Sequence, residues 1–125
     1  ITVLEQEGKG LVELIEAGKI ESEEMRDLLI DFLQPMLNQD IDCLVLGCTH
    51  YPYLIPVLKD ILPGHINIID SGEAVARQTK AVLEQNSLLS NTEDSPEHLF
   101  YSNADTEVLK TLVNTPSAKV SYLDF

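Results

Sequence analysis

The chain has 125 residues, 44% hydrophobic and 23% charged, a balance that suits a folded globular protein rather than a disordered one. Eight Lys and Arg stand against 21 Asp and Glu, for a formal net charge of −13. This argues against nucleic acid or an anionic membrane as a partner, because little here would neutralise phosphates; local donors can still hold a small anionic substrate.

No apolar stretch approaches the roughly 20 residues that span a bilayer, and the opening residues do not read as a secretory leader. Cys43 and Cys48 lie too close on one apolar segment for a disulfide framework. The expected compartment is therefore the cytoplasm. The chain opens Ile1-Thr2-Val3-Leu4, without Met and directly on an apolar run, and it reads as a piece of a longer protein.

Ile1 to Gln6 has strand character, and Gly8 and Gly10 break it. Leu11, Leu14 and Ile15 have helical spacing, with Gly18 placed to stop the helix. Ser22 before Glu23 and Glu24 predicts an N-cap with acids in the first turn. Met25, Leu28, Leu29, Phe32, Leu33 and Met36 then predict an amphipathic helix ending near Asn38.

Ile41 to Leu46 is a nearly continuous apolar run, as expected of a strand buried on both faces of a parallel sheet. Gly47 ends it, and Pro52 can open the next helix, which carries Leu54 to Leu62. Pro63-Gly64 stops that helix. His65 to Ile69 predicts a strand and Asp70-Ser71-Gly72 a turn. Glu73 to about Gln85 predicts a helix with Ala74, Val75, Ala81 and Val82 inward. Ser87 to Pro96 has loop composition. A strand at Leu99–Tyr101, a helix at Thr106–Val113 and a strand at Lys119–Leu123 complete the chain. The alternation predicts an α/β fold, layered, with a mainly parallel sheet and flanking helices.

The turn after the 41–46 strand concentrates chemistry. Ligands of open parallel sheets gather beyond the carboxyl ends of the strands. A helix N-terminus there favours a thiolate or a carboxylate. Cys48 supplies a thiol, Thr49 a hydroxyl and His50 a group that gives or takes a proton near neutral pH. Each also has a plain structural reading: a Cys as a small hydrophobe, and His50 as the cap of the Pro52 helix. Cys43, in mid-strand, is expected to be inert. Zinc is not expected, since no Cys-x-x-Cys pair exists and the strand splits the thiols. The acids Glu21, Glu23, Glu24 and Asp27 read as a solvated helix face. Tyr51 and Tyr53 read as packing residues at a cleft wall, and His65 and His98 as surface residues.

Leu44-Val45-Leu46-Gly47-Cys48-Thr49-His50-Tyr51-Pro52 resembles the second cysteine motif of the glutamate racemases, in the aspartate/glutamate racemase superfamily. Weaker likenesses lie in Leu11 to Gly18, in Ile69-Asp70-Ser71-Gly72 with Ala76, and in Phe100-Tyr101-Ser102. The cysteine motif is the specific one. Aspartate racemases of the superfamily tend to carry Glu where this chain has His50, which favours glutamate.

The resemblance implies a cofactor-independent isomerase in which two cysteines face opposite sides of the substrate α-carbon. One thiolate removes the α-proton and the other thiol returns one. It implies that Cys48 is one of these thiols, the one acting on L-glutamate. It makes His50 the imidazole that assists it, Thr49 a substrate-binding residue and, by looser alignment, Glu16 a glutamate near the substrate. It further implies D-glutamate supply for peptidoglycan, no metal, and a homodimer.

The first cysteine motif of that family and its early Asp-Ser motif do not occur in this chain, and Glu7-Gly8-Lys9 stands where Ala-Cys-Pro is often found. Cys43 cannot replace the absent thiol. Five residues of strand separate it from Cys48 by about 16 Å and turn the two side chains to opposite faces.

The expectation is thus an incomplete fragment of a two-domain protein. Residues 1–70 would form most of the second domain, and 71–125 a segment that returns to pack on the first. The fragment alone is expected to be inactive. A non-catalytic acidic interaction module, or another amino-acid racemase of the superfamily, is the alternative.

Overall fold

The structure, a computed structural model, describes residues 1–92, 95–113 and 115–125. Two residues of the expected 87–96 loop, Glu93 and Asp94, lie outside the described residues. Contacts divide the chain into two compact units, Ile1–Ser87 and Leu88–Phe125.

In the first unit, helix α1 is Leu11–Glu16 and ends as its sequence predicts. Gly18 has φ 70°, and the Gly18 and Lys19 amides donate to the Ile15 and Leu14 carbonyls at 3.0 and 2.9 Å. This is the paired closure that a left-handed glycine permits. Helix α2, Glu23–Leu37, begins at Ser22, whose hydroxyl accepts the Met25 amide at 3.1 Å. Met25, Leu29 and Leu33, spaced by four, are buried along one stripe.

Strand β1, Cys43–Val45, pairs in parallel with β2, Asn67–Ile69, with Leu44 opposite Ile68. The Leu46 amide extends the ladder to the Ile69 carbonyl at 2.8 Å. Between the strands run a 3₁₀ turn, Tyr51–Leu54, and helix α3, Ile55–Ile61. Helix α4, Gly72–Gln85, follows β2. The core of this unit gathers Leu11 and Ile15, the α2 stripe, Leu44, Leu46, Leu54, Val57, Leu58, Leu62 and Ile66. Full burial of such side chains contributes roughly 1.5–3 kcal/mol each.

Three expectations are corrected here. Ile1–Gln6 forms no strand; Val3 is 74% exposed, and among the described residues no segment supplies backbone partners. The 41–46 run is buried on one face only. Leu44 and Leu46 point inward, while Val45 is 67% exposed and its register partner Ile69 50%. Among the described residues no layer covers that second face. Helix α4 forms where predicted, yet none of its residues is buried, and Val75 and Val82 lie open.

In the second unit, strand β3, His98–Ser102, pairs in parallel with β4, Ala118–Tyr122, and helix α5, Thr106–Val113, connects them. Phe100 and Ser102 share the half-buried face of β3, while Leu99 and Tyr101 are exposed. No described residue of this unit is fully buried. A stretch this short is below the size, about 40 residues, at which a domain normally holds itself together without a staple or partner.

Candidate functional site

The site is built by the end of β1. Once Leu46 has made its last ladder bond, Gly47, exposed and without a side chain, lets the chain turn away from the sheet. Cys48 follows, beyond the carboxyl end of β1. The Asp70-Ser71-Gly72 turn leaves the carboxyl end of the parallel neighbour β2, so both turns lie at one sheet edge. Asp70 Oδ1 accepts the Gly72 amide at 2.8 Å, which makes this segment the side-chain-closed turn its residues predict.

The helical segment after Cys48 does open at Pro52, as expected, but in 3₁₀ rather than α geometry. Tyr51–Leu54 is a 3₁₀ turn, and α-helical geometry starts only at Ile55. Two prolines explain this. Pro52 has no N–H to offer, and the Pro56 ring would clash with the carbonyl four residues back, that of Pro52, if the segment were continuous α-helix. The turn is instead closed by the Tyr51 amide on the Cys48 carbonyl at 3.1 Å and the Tyr53 amide on the His50 carbonyl at 3.2 Å.

His50 is central. It stands at the N-cap position of the 3₁₀ turn, but its side chain makes no capping hydrogen bond and is turned to other partners. Its Nδ1 lies 4.0 Å from Cys48 Sγ, and its Nε2 lies 3.2 Å from Glu16 Oε1. Cys48 and His50 are half-buried, and the His50 side chain is 26% exposed against 48% for Glu16. With a carboxylate at Nε2, the proton of a neutral ring belongs on that nitrogen, and Nδ1 is left as the acceptor facing the thiol. Thiol, imidazole and carboxylate thus form a line drawn from two distant parts of the chain. Such a line can move a proton off sulfur and stabilise the imidazolium that results.

Thr49, between the two ring-facing residues, is exposed. Cys43 and Cys48 are both free thiols, and the strand carries Cys43 to the opposite end of β1. His65 and His98 are exposed, as expected. Tyr53 is 38% exposed. Tyr51 is half-buried, and its hydroxyl donates to the Gly8 carbonyl at 3.3 Å. Burial first, then the negative charges of Cys48, Glu7 and Glu13, hold its phenol above the ordinary 10.0. The Tyr51–Gly8 contact was absent from the sequence reading. A glycine before a short helix and an aromatic beside a histidine carry no signal of mutual contact across 43 residues of chain.

The fold and the site define an α/β protein with a cysteine–imidazole–carboxylate line at the edge of a parallel sheet. The family described as Asp/Glu/Hydantoin racemase matches residues 2–79, and the chain belongs to it. It is 45% identical over 115 residues to the glutamate racemase of Pseudomonas entomophila (strain L48), covering 90% of this chain and 42% of that protein. The chain thus spans less than half the length of the curated relatives it matches. Its fold is similar to glutamate racemase isoform RacE1 of Bacillus anthracis, with TM-score 0.79, 24% identity, 95% of this chain covered and 46% of that one. It is also similar to the Escherichia coli glutamate racemase solved with L-glutamate and the activator UDP-MurNAc-ala. There the TM-score is 0.66 and the identity 30%, with 92% of this chain covered and 45% of that one. No described helix is long and apolar enough to cross a membrane.

Proposed function

We propose that this chain is the C-terminal part of a cofactor-independent glutamate racemase, and that Cys48 is one of its two acid/base thiols. The observation that carries the reading is the line that joins Cys48 and His50 of the cysteine motif to Glu16 of α1. The chemistry needs such a line. The α-proton of an amino acid is weakly acidic, so the abstracting thiolate must be generated beside its substrate and its proton held nearby.

In this reading His50 Nδ1 takes the Cys48 proton, Glu16 steadies the imidazolium at Nε2, and Cys48 exchanges a proton with the substrate α-carbon. A second thiol, from the part of the relatives this chain does not span, works on the opposite face. The Thr49 hydroxyl and amide bind a substrate carboxylate. Glu16, half exposed, has an oxygen free to meet the substrate ammonium. Residues 1–70 belong to the second racemase domain. Residues 71–125 return to pack on the first, which accounts for the uncovered face of α4 and the coreless second unit. The intact enzyme works in the cytoplasm, as a homodimer, and supplies D-glutamate for peptidoglycan and so for cell shape.

The test is racemisation of glutamate by the intact protein and its Cys48→Ser variant, followed by loss of optical rotation. The variant is expected to lose turnover in both directions, and the 125-residue chain alone to show none. Full activity of Cys48→Ser, or turnover by the 125-residue chain, would sink the assignment.

A further inference from the structure

We propose that Tyr51 is a positioning residue for the Glu16–His50 pair, acting through helix α1; this rests on the reading of Cys48, His50 and Glu16 as the acid/base line. Helix α1 is six residues long, well under the length at which a helix holds itself in water. Its placement comes from outside. Leu11 and Ile15 anchor one face in the core.

Two polar ties fix the remaining freedom, one at each end. Before the helix, the Gly8 carbonyl accepts both the Leu11 amide at 3.2 Å and the Tyr51 hydroxyl at 3.3 Å. At its last residue, Glu16 Oε1 meets His50 Nε2 at 3.2 Å. The two residues that reach across, His50 and Tyr51, are adjacent. In a turn of about three residues per revolution, neighbours point some 120° apart, so one backbone position serves both ends of α1. The Tyr51 bond thereby sets where the Glu16 carboxylate stands relative to the ring, and so which ring nitrogen faces Cys48.

Gly8 fits the same device. A Cβ at that position would collide with the Tyr51 hydroxyl and with the Leu11 side chain. The close approach needs a residue without one. The hydroxyl, not the ring, is the working part: Phe would keep the packing and lose the tie.

The test is long-range proton–nitrogen correlation spectroscopy of the ¹⁵N-histidine-labelled 125-residue chain, with His65 and His98 as internal references. Glu16→Gln is expected to displace the His50 Nδ1 and Nε2 signals. Tyr51→Phe should displace them in the same direction by a comparable amount, with His65 and His98 unmoved. Gly8→Ala, which keeps the tyrosine but expels its hydroxyl, should reproduce the shift. His50 signals unchanged in Tyr51→Phe and Gly8→Ala, whether or not the melting temperature falls, would overturn the proposal. Signals indifferent to Glu16→Gln as well would overturn the Glu16–His50 pair itself. Because the readout is the tautomer and hydrogen bonding of the His50 ring and not turnover, it stands apart from the activity test of Cys48.

Discussion

Replacing Glu16 by Gln separates two roles that the site allows this residue. The substitution keeps shape and removes charge. At the observed 3.2 Å from His50 Nε2, a carboxylate and an imidazolium attract by about 1.3 kcal/mol in a water-like dielectric and about 5 kcal/mol at an effective constant near 20. The Glu16 side chain is 48% exposed, so the screened end of that range applies and about 1 kcal/mol is expected. Removing it raises the cost of forming the imidazolium by that amount, which slows proton removal from Cys48 about fivefold. The assay is glutamate racemisation by the intact protein, with alkylation of Cys48 in the 125-residue chain as a second measure and Cys43 as its internal control. A fivefold loss in both, with Cys43 unchanged, supports Glu16 as the partner of His50. An unchanged rate would refute the line of three groups. A loss beyond about a hundredfold, near 3 kcal/mol, would exceed what a screened ion pair supplies and would assign the larger share to contact with the substrate ammonium. Glu16 would then be gripping the substrate itself.

Leu54 closes the 3₁₀ turn behind the motif and is 1% exposed. Leu54→Ala should cost about 2–5 kcal/mol in urea unfolding, and a loss under about 1 kcal/mol would mean that this turn is not seated in the core. Tyr51 gives a pH signature. Its folded phenol sits above the ordinary 10.0, so above that pH the unfolded chain releases the proton first and stability falls as pH rises toward the folded value. Below 10.0 the contribution is intact. Urea titrations across this window should show the wild-type chain losing stability faster than Tyr51→Phe, and parallel curves would contradict the assignment.

The sequence by itself determined most of the local structure. Ser22 with its trailing acids, Gly18 after a helical run, and Asp70-Ser71-Gly72 each met a backbone demand within a few residues of themselves, so their roles could be read from neighbours alone. The α/β alternation and the parallel pairing were legible for the same reason, since two strands separated by a helix have few other ways to join. The cysteine motif was legible because its six residues are specific.

Only the tertiary structure decided the rest. Apolar patterning says which face of an element avoids water, not whether anything covers it. Hence Val45, Val75 and Val82 were assigned to interiors and stand exposed. Two prolines made the helix start at the motif a tighter 3₁₀ turn, with α-helical geometry only from Ile55. The pairing of His50 with Glu16, and of Tyr51 with Gly8, links positions more than 30 residues apart. No local rule relates such positions, because their contact is set by how α1 docks beside the turn after β1. Cys48 was visible in the sequence. Which side chains meet around it, Glu16 on His50 and Tyr51 on Gly8, became visible only when the chain closed on itself.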